Sequence, residues 1–321
     1  MAAARPERLG CYILAGSDFP DSVEQAIMSW GIAVTIIKDP SRLSTRGLLK
    51  YLGESFKGQL EASRYCTPGK LTLAALERTF EYTTPPLQPT PGDLSGSTLL
   101  QSNAFHFLAS PELMATFATD LAVLRVSAGV TSQPLIVWEP APYSCIQASQ
   151  SVHLQTAKFV DIYSPNHLEF LQTFGSRDGD ELPAEFDRAK IEELVLRVLE
   201  SGVGRDGEGA AVIRCGEHGC MVAARSYSIR WFPAFHSEAS RVSDATGAGN
   251  AFLGGFVVTL GTTSDLTEAA IAGSVAASFV IEQVGLPRRT TSRQGTDMWN
   301  GEAFSARADR FRTILETPAN G

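Results

Sequence analysis

At 321 residues the chain suffices for one large α/β domain or two modest ones, and 44% hydrophobic with 19% charged residues excludes a disordered polymer. Lys and Arg number 27 against 35 Asp and Glu, a net charge of −8, and the densest basic spot is only Arg288-Arg289. Phosphate backbones need basic clusters, so a nucleic-acid scaffold is excluded. No window reaches the ~18 apolar residues of a membrane span, and the N-terminus lacks the apolar run of a signal peptide.

The expected elements alternate along the chain. Residues 9–15 read as a short apolar strand, 21–30 as a helix, and 32–37 as a β-rich strand. From about 40 to 95 the periodicity fades into a Pro-rich stretch ending in Pro85, Pro86, Pro89 and Pro91, which reads as a small lid or flap. Regular alternation follows: a strand at 104–108, a helix at 111–128 capped by Ser110, and a buried strand at 135–138. A further strand is expected at 159–163 and a helix at 184–200, with Ile191, Leu194, Val195, Val198 and Leu199 on one face. Residues 210–213 and 220–224 read as paired strands around Gly216-Glu217-His218-Gly219, and 247–260 and 266–284 as two helices rich in Gly and Ala. Strands alternating with helices predict an α/β fold, a doubly wound, mainly parallel sheet covered on both faces. No linker or repeat divides the chain, so a single domain over 1–321 is expected.

Ser243-Asp244-Ala245-Thr246-Gly247-Ala248-Gly249-Asn250 is a loop with two glycines running into an apolar helix. Backbone N–H groups at a helix start favour an anion, and the helix dipole adds to them, although a lone Gly-x-Gly there is often only a tight turn. The segment resembles the signature Asp-Thr-x-Gly-Ala-Gly-Asp-x-Phe of the pfkB (ribokinase-like) carbohydrate kinases. Three further stretches resemble the same family in the same order: Val160 through Asn166 and Glu169, the hairpin from Ile213 to Cys220 with Gly216 and Gly219, and the small-residue helix through Ala277. Trp138-Glu139-Pro140, Ser164-Pro165-Asn166-His167, Glu77 to Tyr82 and Trp299-Asn300-Gly301 are nearer the family's fungal branch related to maintenance-of-killer proteins than its sugar kinases.

The resemblance implies a ribokinase-like fold, ATP and Mg2+ as cofactors, and a small-molecule alcohol (a sugar, a nucleoside or another) as acceptor. It implies an anion hole from Gly247, Ala248 and Gly249, nucleotide contacts from Gly216, Gly219, Asp244, Thr246 and Ala277, and magnesium ligation, through waters, by Asn166 and Glu169. A homodimer is left open, and a cytoplasmic location is expected. Two departures qualify this. The family's last signature residue is an Asp that takes the acceptor's proton; here it is Asn250, and a carboxamide can orient a hydroxyl but cannot act as a base. The family's first strand and Gly-Gly loop also have no counterpart, so the chain is expected to start one βα unit later.

Other candidates stand on the residues alone. Asn166 and Glu169 at i and i+3 share a face on a helical turn, which equally fits an Asn cap with a solvated Glu. Asp18 and Asp39 end the first two strands, at the rim where open sheets bind ligands, and Arg46 and Arg64 could meet an anionic acceptor; surface charge is the plainer alternative for all four. His106, inside an apolar strand, reads as a core histidine rather than a base. The five cysteines, Cys11, Cys66, Cys145, Cys215 and Cys220, have no C-x-x-C spacing, so neither zinc nor a disulfide framework is indicated. Three functions remain open: a kinase with an unusual base, a nucleotide-binding relative without catalysis, and an enzyme of different chemistry in the same pocket.

Overall fold

The computed structural model describes residues 6–51, 78–175 and 186–316, and its contacts divide the chain between residues 99 and 100 into two compact units. In the first, β1 (Gly10–Gly16) and β2 (Ala33–Asp39) pair in parallel through the connecting helix α1 (Asp21–Met28). β3 (Gly47–Tyr51) and β4 (Arg78–Tyr82) form a separate antiparallel pair. The middle of the expected lid, residues 52–77 with Arg64 and Cys66, lies outside the described residues.

The second unit begins with β5 (Ala104–Ala109), α2 (Pro111–Ser127), β6 (Leu135–Pro140), the short α3 (Gln150–Thr156) and β7 (Ile162–Tyr163). Next come α4 (His167–Phe174), α5 (Arg188–Ser201), β8 (Ala210–Arg214), β9 (Cys220–Ala224) and β10 (Tyr227–Phe232). α6 (Ala248–Thr263) and α7 (Leu266–Val280) follow, then the small strands β11 (Arg289–Thr291), β12 (Asp297–Trp299) and β13 (Glu302–Ala303), and finally α8 (Phe304–Glu316).

Six strands form the sheet, in the order β10-β9-β8-β7-β6-β5, with β5 to β8 parallel and β9 and β10 antiparallel. One face packs Trp138, Tyr163 and Ile213 against α2, α4 and α5; the other packs Val137, Val212 and Val222 against α6, α7 and α8. This is the doubly wound arrangement that the alternation predicts, and strands covered on both faces are apolar throughout. Small residues set the closeness of α6 and α7: a Cβ on Gly255 would stand 2.5 Å from the Ala272 carbonyl oxygen.

Several expectations need correction. The strand expected at 159–163 is only Ile162–Tyr163, because residues 157–159 coil into a 3-10 turn that leaves Phe159 exposed. Asp161 holds that turn to β6, its Oδ2 accepting from the Ile136 N–H at 2.7 Å. The helix expected from 184 starts at Arg188, where Asp187 accepts from the Lys190 N–H. His106 is not a core residue: its side chain is 29% exposed and pairs with Glu139. The residues at 227–232 and 304–316, given no element in the sequence reading, form β10 and α8.

Candidate functional site

The glycine signature sits where the loop after β10 turns into α6. Gly247 adopts φ +82°, a left-handed turn, and α6 starts at the next residue. The loop is held on two sides. The Ser243 and Asp244 N–H groups donate to the Ile281 carbonyl at 2.7 and 3.3 Å, and Ser243 Oγ donates to that of Glu282 at 2.9 Å. Asp244 Oδ1 accepts from the Thr246 N–H at 2.9 Å, an Asx turn that folds the signature before the helix begins. The first-turn N–H groups, including those of Gly249 and Asn250, have no acceptors within the helix, and the dipole adds positive potential there. The Asn250 side chain is exposed.

The C-terminal end of α7, on which the loop rests, is itself pinned by the last segment of the chain. Glu282 accepts from Arg307 Nη1 at 2.8 Å and Asn300 Nδ2 at 2.8 Å, and pairs with His236 Nε2 at 3.0 Å. Burial pushes the Glu282 carboxyl up, but hydrogen bonds from Asn300 and Arg307 outweigh it and hold it below the usual range. Asn300 also accepts from the Arg288 N–H at 2.9 Å, which gives the Trp299-Asn300-Gly301 motif a mechanical role.

Across from the signature, the carboxyl ends of β5, β6 and β8 bring charges together. Arg214, the last residue of β8, is the nearest neighbour of any Cβ placed on Gly249. Its Nη2 lies 2.8 Å from Glu139 Oε1 at the end of β6 and 3.9 Å from Glu169 Oε2 on α4. Glu139 Oε2 in turn lies 3.0 Å from His106 Nε2. Burial pushes the Glu139 carboxyl up, yet the Arg214 charge and the His106 hydrogen bond more than offset this, so it stays below the usual carboxylate range.

Asn166 and Glu169 close a capping box at the start of α4: Asn166 Oδ1 accepts from the Glu169 N–H at 2.9 Å and Glu169 Oε2 accepts from the Asn166 N–H at 2.8 Å. The Glu169 side chain is buried rather than solvated, 8% exposed, and no group of three or more His, Cys, Asp or Glu that could hold a metal occurs among the described residues. Gly216 and Gly219 both have positive φ in the turn between β8 and β9, where Gly219 O accepts from the Cys215 N–H at 2.7 Å. A Cβ on Gly219 would overlap the Phe232 carbonyl oxygen, so the turn requires glycine. Ala277 lies half-buried on α7, and its carbonyl accepts from Ile281 N.

The structure thus brings Gly249, Arg214 and Glu169 into one cluster, with Gly216 and Gly219 on the turn that follows Arg214. Asp18 and Asp39 hold their own loop: Asp18 accepts from the Ser44 N–H at 2.6 Å and pairs with Arg46, and Asp39 accepts from the Ser41 N–H at 2.9 Å. Cys215 and Cys220 are free and buried, and burial pushes the Cys220 thiol up to about 12. Arg214, Glu139 and Glu282 were given no role in the sequence reading. The available signal was charge at the C-terminal ends of apolar strands, as in Trp138-Glu139 and Ile213-Arg214.

Comparison with known proteins gives a consistent placement. The pfkB family carbohydrate kinase profile matches residues 95–290. The chain is 31% identical over 310 residues to Protein MAK32 of Saccharomyces cerevisiae, covering 94% of this chain and 76% of that one. It is 28% identical over 322 residues to an uncharacterized protein of Schizosaccharomyces pombe, covering 96% and 81%. Among solved structures, a putative ribokinase II from E. coli superposes with a TM-score of 0.60 at 14% identity, covering 96% of this chain and 86% of that one. An adenosine kinase from Schistosoma mansoni, in complex with 2-fluoroadenosine, superposes with a TM-score of 0.59 at 13% identity, covering 86% and 74%. No described helix is long and apolar enough to cross a membrane.

Proposed function

Since this chain belongs to the pfkB family of carbohydrate kinases, we propose that it binds ATP with magnesium at the start of α6 and phosphorylates a small-molecule hydroxyl slowly, because residue 250 is a carboxamide. The observation that carries this reading is the first turn of α6. Its N–H groups lie behind a left-handed glycine, on a loop fixed by Ser243 and Asp244 to the Ile281 carbonyl. That is the anion site a helix start provides.

The residues present suit both cofactors. Phosphate oxygens would accept from the N–H groups of Gly249 and Asn250. Glu169 is a hard oxygen donor of the kind magnesium takes, and with Asn166 it would meet the ion through waters. Magnesium, when bound, would neutralise charge on the phosphates. Asn250 can hold the acceptor hydroxyl in place, but the hydroxyl proton must leave to solvent. Positioning survives in this arrangement, while base assistance, worth ~10²–10⁴-fold, is lost.

The test is direct. Millimolar ATP with magnesium should raise the melting temperature, since a ligand held only by the folded state stabilises it by about 2.7 kcal/mol at a hundred times Kd. The N250D variant restores a carboxylate at nearly constant volume and should raise γ-phosphate release by ~10²–10⁴-fold. An unchanged melting curve would overturn the nucleotide reading. Brisk wild-type transfer to a sugar or nucleoside, unimproved by N250D, would overturn the slow-turnover reading.

A further inference from the structure

Arg214 is a cation with unused hydrogen-bonding capacity at the point where the proposed phosphate would lie. Its side chain is only 12% exposed. A guanidinium carries five N–H donors in one plane and is always charged. Only Nη2 is occupied here, donating to Glu139 Oε1 at 2.8 Å and to the Ser164 carbonyl at 3.0 Å. Nε is buried with no acceptor, and Nη1 has none among the described residues while lying against Gly249. A charged, donor-rich group that the protein leaves short of acceptors is placed to meet an acceptor from outside it.

An anion would be that acceptor. Nη1 adjoins Gly249 in the first turn of α6, where the N–H groups are themselves donors, and the protein oxygen nearest that point is Glu139 Oε1, already bonded to Nη2. An oxygen accepting from the helix start would accept from Nη1 as well, with a charge-assisted bond. Glu139 meets Arg214 through one oxygen and His106 through the other, so the guanidinium is held in place without its Nη1 donors being consumed.

We propose that Arg214 is a phosphate-binding side chain, contributing Nη1 to the phosphoryl group at the start of α6, and that Glu139 both positions this guanidinium and competes with phosphate for its charge. The inference rests on the nucleotide reading above and adds to it a side-chain cation provided by the protein itself. It also gives opposite signs for two neighbouring substitutions. R214Q removes the cation; E139Q keeps a hydrogen-bonding partner for Nη2 but removes the competing negative charge.

The experiment is calorimetric titration of the full chain with magnesium-ATP and, separately, with magnesium pyrophosphate, alongside unliganded melting temperatures. R214Q should weaken both ligands by about ten- to a hundredfold, R214K should recover part of the loss, and E139Q should bind both at least as tightly as wild type. Pyrophosphate is the decisive arm, because it has no base or sugar. Loss of ATP binding with pyrophosphate binding unchanged would overturn the proposal in favour of a role at another part of the nucleotide. A purely structural role for the pair would lower the melting temperature and weaken binding in E139Q as much as in R214Q, which also overturns it and remains readable if R214Q does not fold. Wild type and R214Q binding equally well would overturn this inference and leave the nucleotide reading intact; no wild-type binding of either ligand would overturn both.

Discussion

The two units use the same kinds of element and bury them to different depths. β8 and β9 lie inside a six-stranded sheet, neither at its edge, and nine of their ten residues are buried. β1 and β2 form a two-stranded sheet in which only Ala15 and Gly16 are buried, and α1 buries no residue. A sheet roofed by helices on both faces takes the side chains of its inner strands out of water, whereas a two-stranded one is marginal by itself. The difference teaches where rigidity is available. Every residue proposed for the phosphate, nucleotide and metal lies after residue 100, in the more deeply buried unit. Local opening should follow the same division.

The largest effect expected from this contrast is in core truncation. Phe256 on α6 is fully buried against the sheet, so Phe256→Ala should cost about 3–5 kcal/mol through lost transfer energy and the cavity left behind. Leu14 on β1 is only half-buried, and Leu14→Ala should cost about 1 kcal/mol, in proportion to the smaller area removed from water. Urea unfolding followed by circular dichroism, with hydrogen exchange to assign the loss to each unit, measures both. Equal losses at the two positions would break the contrast.

Acid should separate the units next. His153 is fully buried, its Nε2 3.1 Å from the Ser144 carbonyl and its Nδ1 3.0 Å from the Tyr163 hydroxyl. A carbonyl only accepts, so Nε2 carries the proton and Nδ1 accepts from Tyr163. Burial holds the His153 pKa below its ordinary value, outweighing the Ser144 hydrogen bond. A base whose folded pKa is depressed lends stability that is complete above the unfolded pKa, about 6.5, and is lost as pH falls towards the folded value. Protonating Nδ1 would also strip the Tyr163 hydroxyl proton of its acceptor, a penalty of about 1–3 kcal/mol. Trp138, with its ring centroid 5.2 Å from that of His153, reports on the larger unit, and Trp30, just beyond α1, on the smaller. In single-tryptophan variants retaining one or the other, the Trp138 urea midpoint should fall between pH 7 and pH 5, and it should fall less in a His153→Gln background. A midpoint that ignores pH would mean that the ring is not kept neutral by burial.

The order of elements was legible in the sequence wherever local pattern decides it. Ser110 before Pro111 announces the start of α2, and the apolar spacing from Ile191 to Leu199 is the buried face of α5. β10 could have been found: Tyr227, Ile229 and Trp231 alternate with the exposed Ser228 and Arg230. α8 was harder, because its buried face is only Arg307, Ala308 and Phe311, and one of these is a charged residue satisfied by Glu282 and Ser278. The glycine signature could be read because its anion site is local to one loop and one helix turn. The charges facing it could not. Arg214 matters through Glu139, which is distant in sequence, and strand order alone brings the ends of β6 and β8 to either side of β7. His106 was misread for a related reason, since an apolar strand says nothing about a carboxylate on the neighbouring strand.

The smallest effect concerns how the helices start. In the larger unit, α2, α4, α5 and α7 each begin at a residue whose side chain accepts from a first-turn N–H group, namely Ser110, Asn166, Asp187 and Asp265. α1 begins after Pro20, which has no such side chain. Asp265 is the strongest case, its Oδ1 accepting from the Thr267 N–H at 2.7 Å and the Glu268 N–H at 3.2 Å. A carboxylate there also meets the positive end of the dipole of a helix that packs along α6. Asp265→Ala should therefore cost about 1 kcal/mol, read as a lower urea midpoint at an unchanged slope. Asp265→Asn keeps the accepting oxygen and loses only the charge, so it should fall between the two. If Asp265→Ala and Asp265→Asn were equally destabilised, charge at the dipole would be the main contribution and the hydrogen bonds a minor one. If neither lost stability, packing of α7 on α6 would by itself fix where the helix starts.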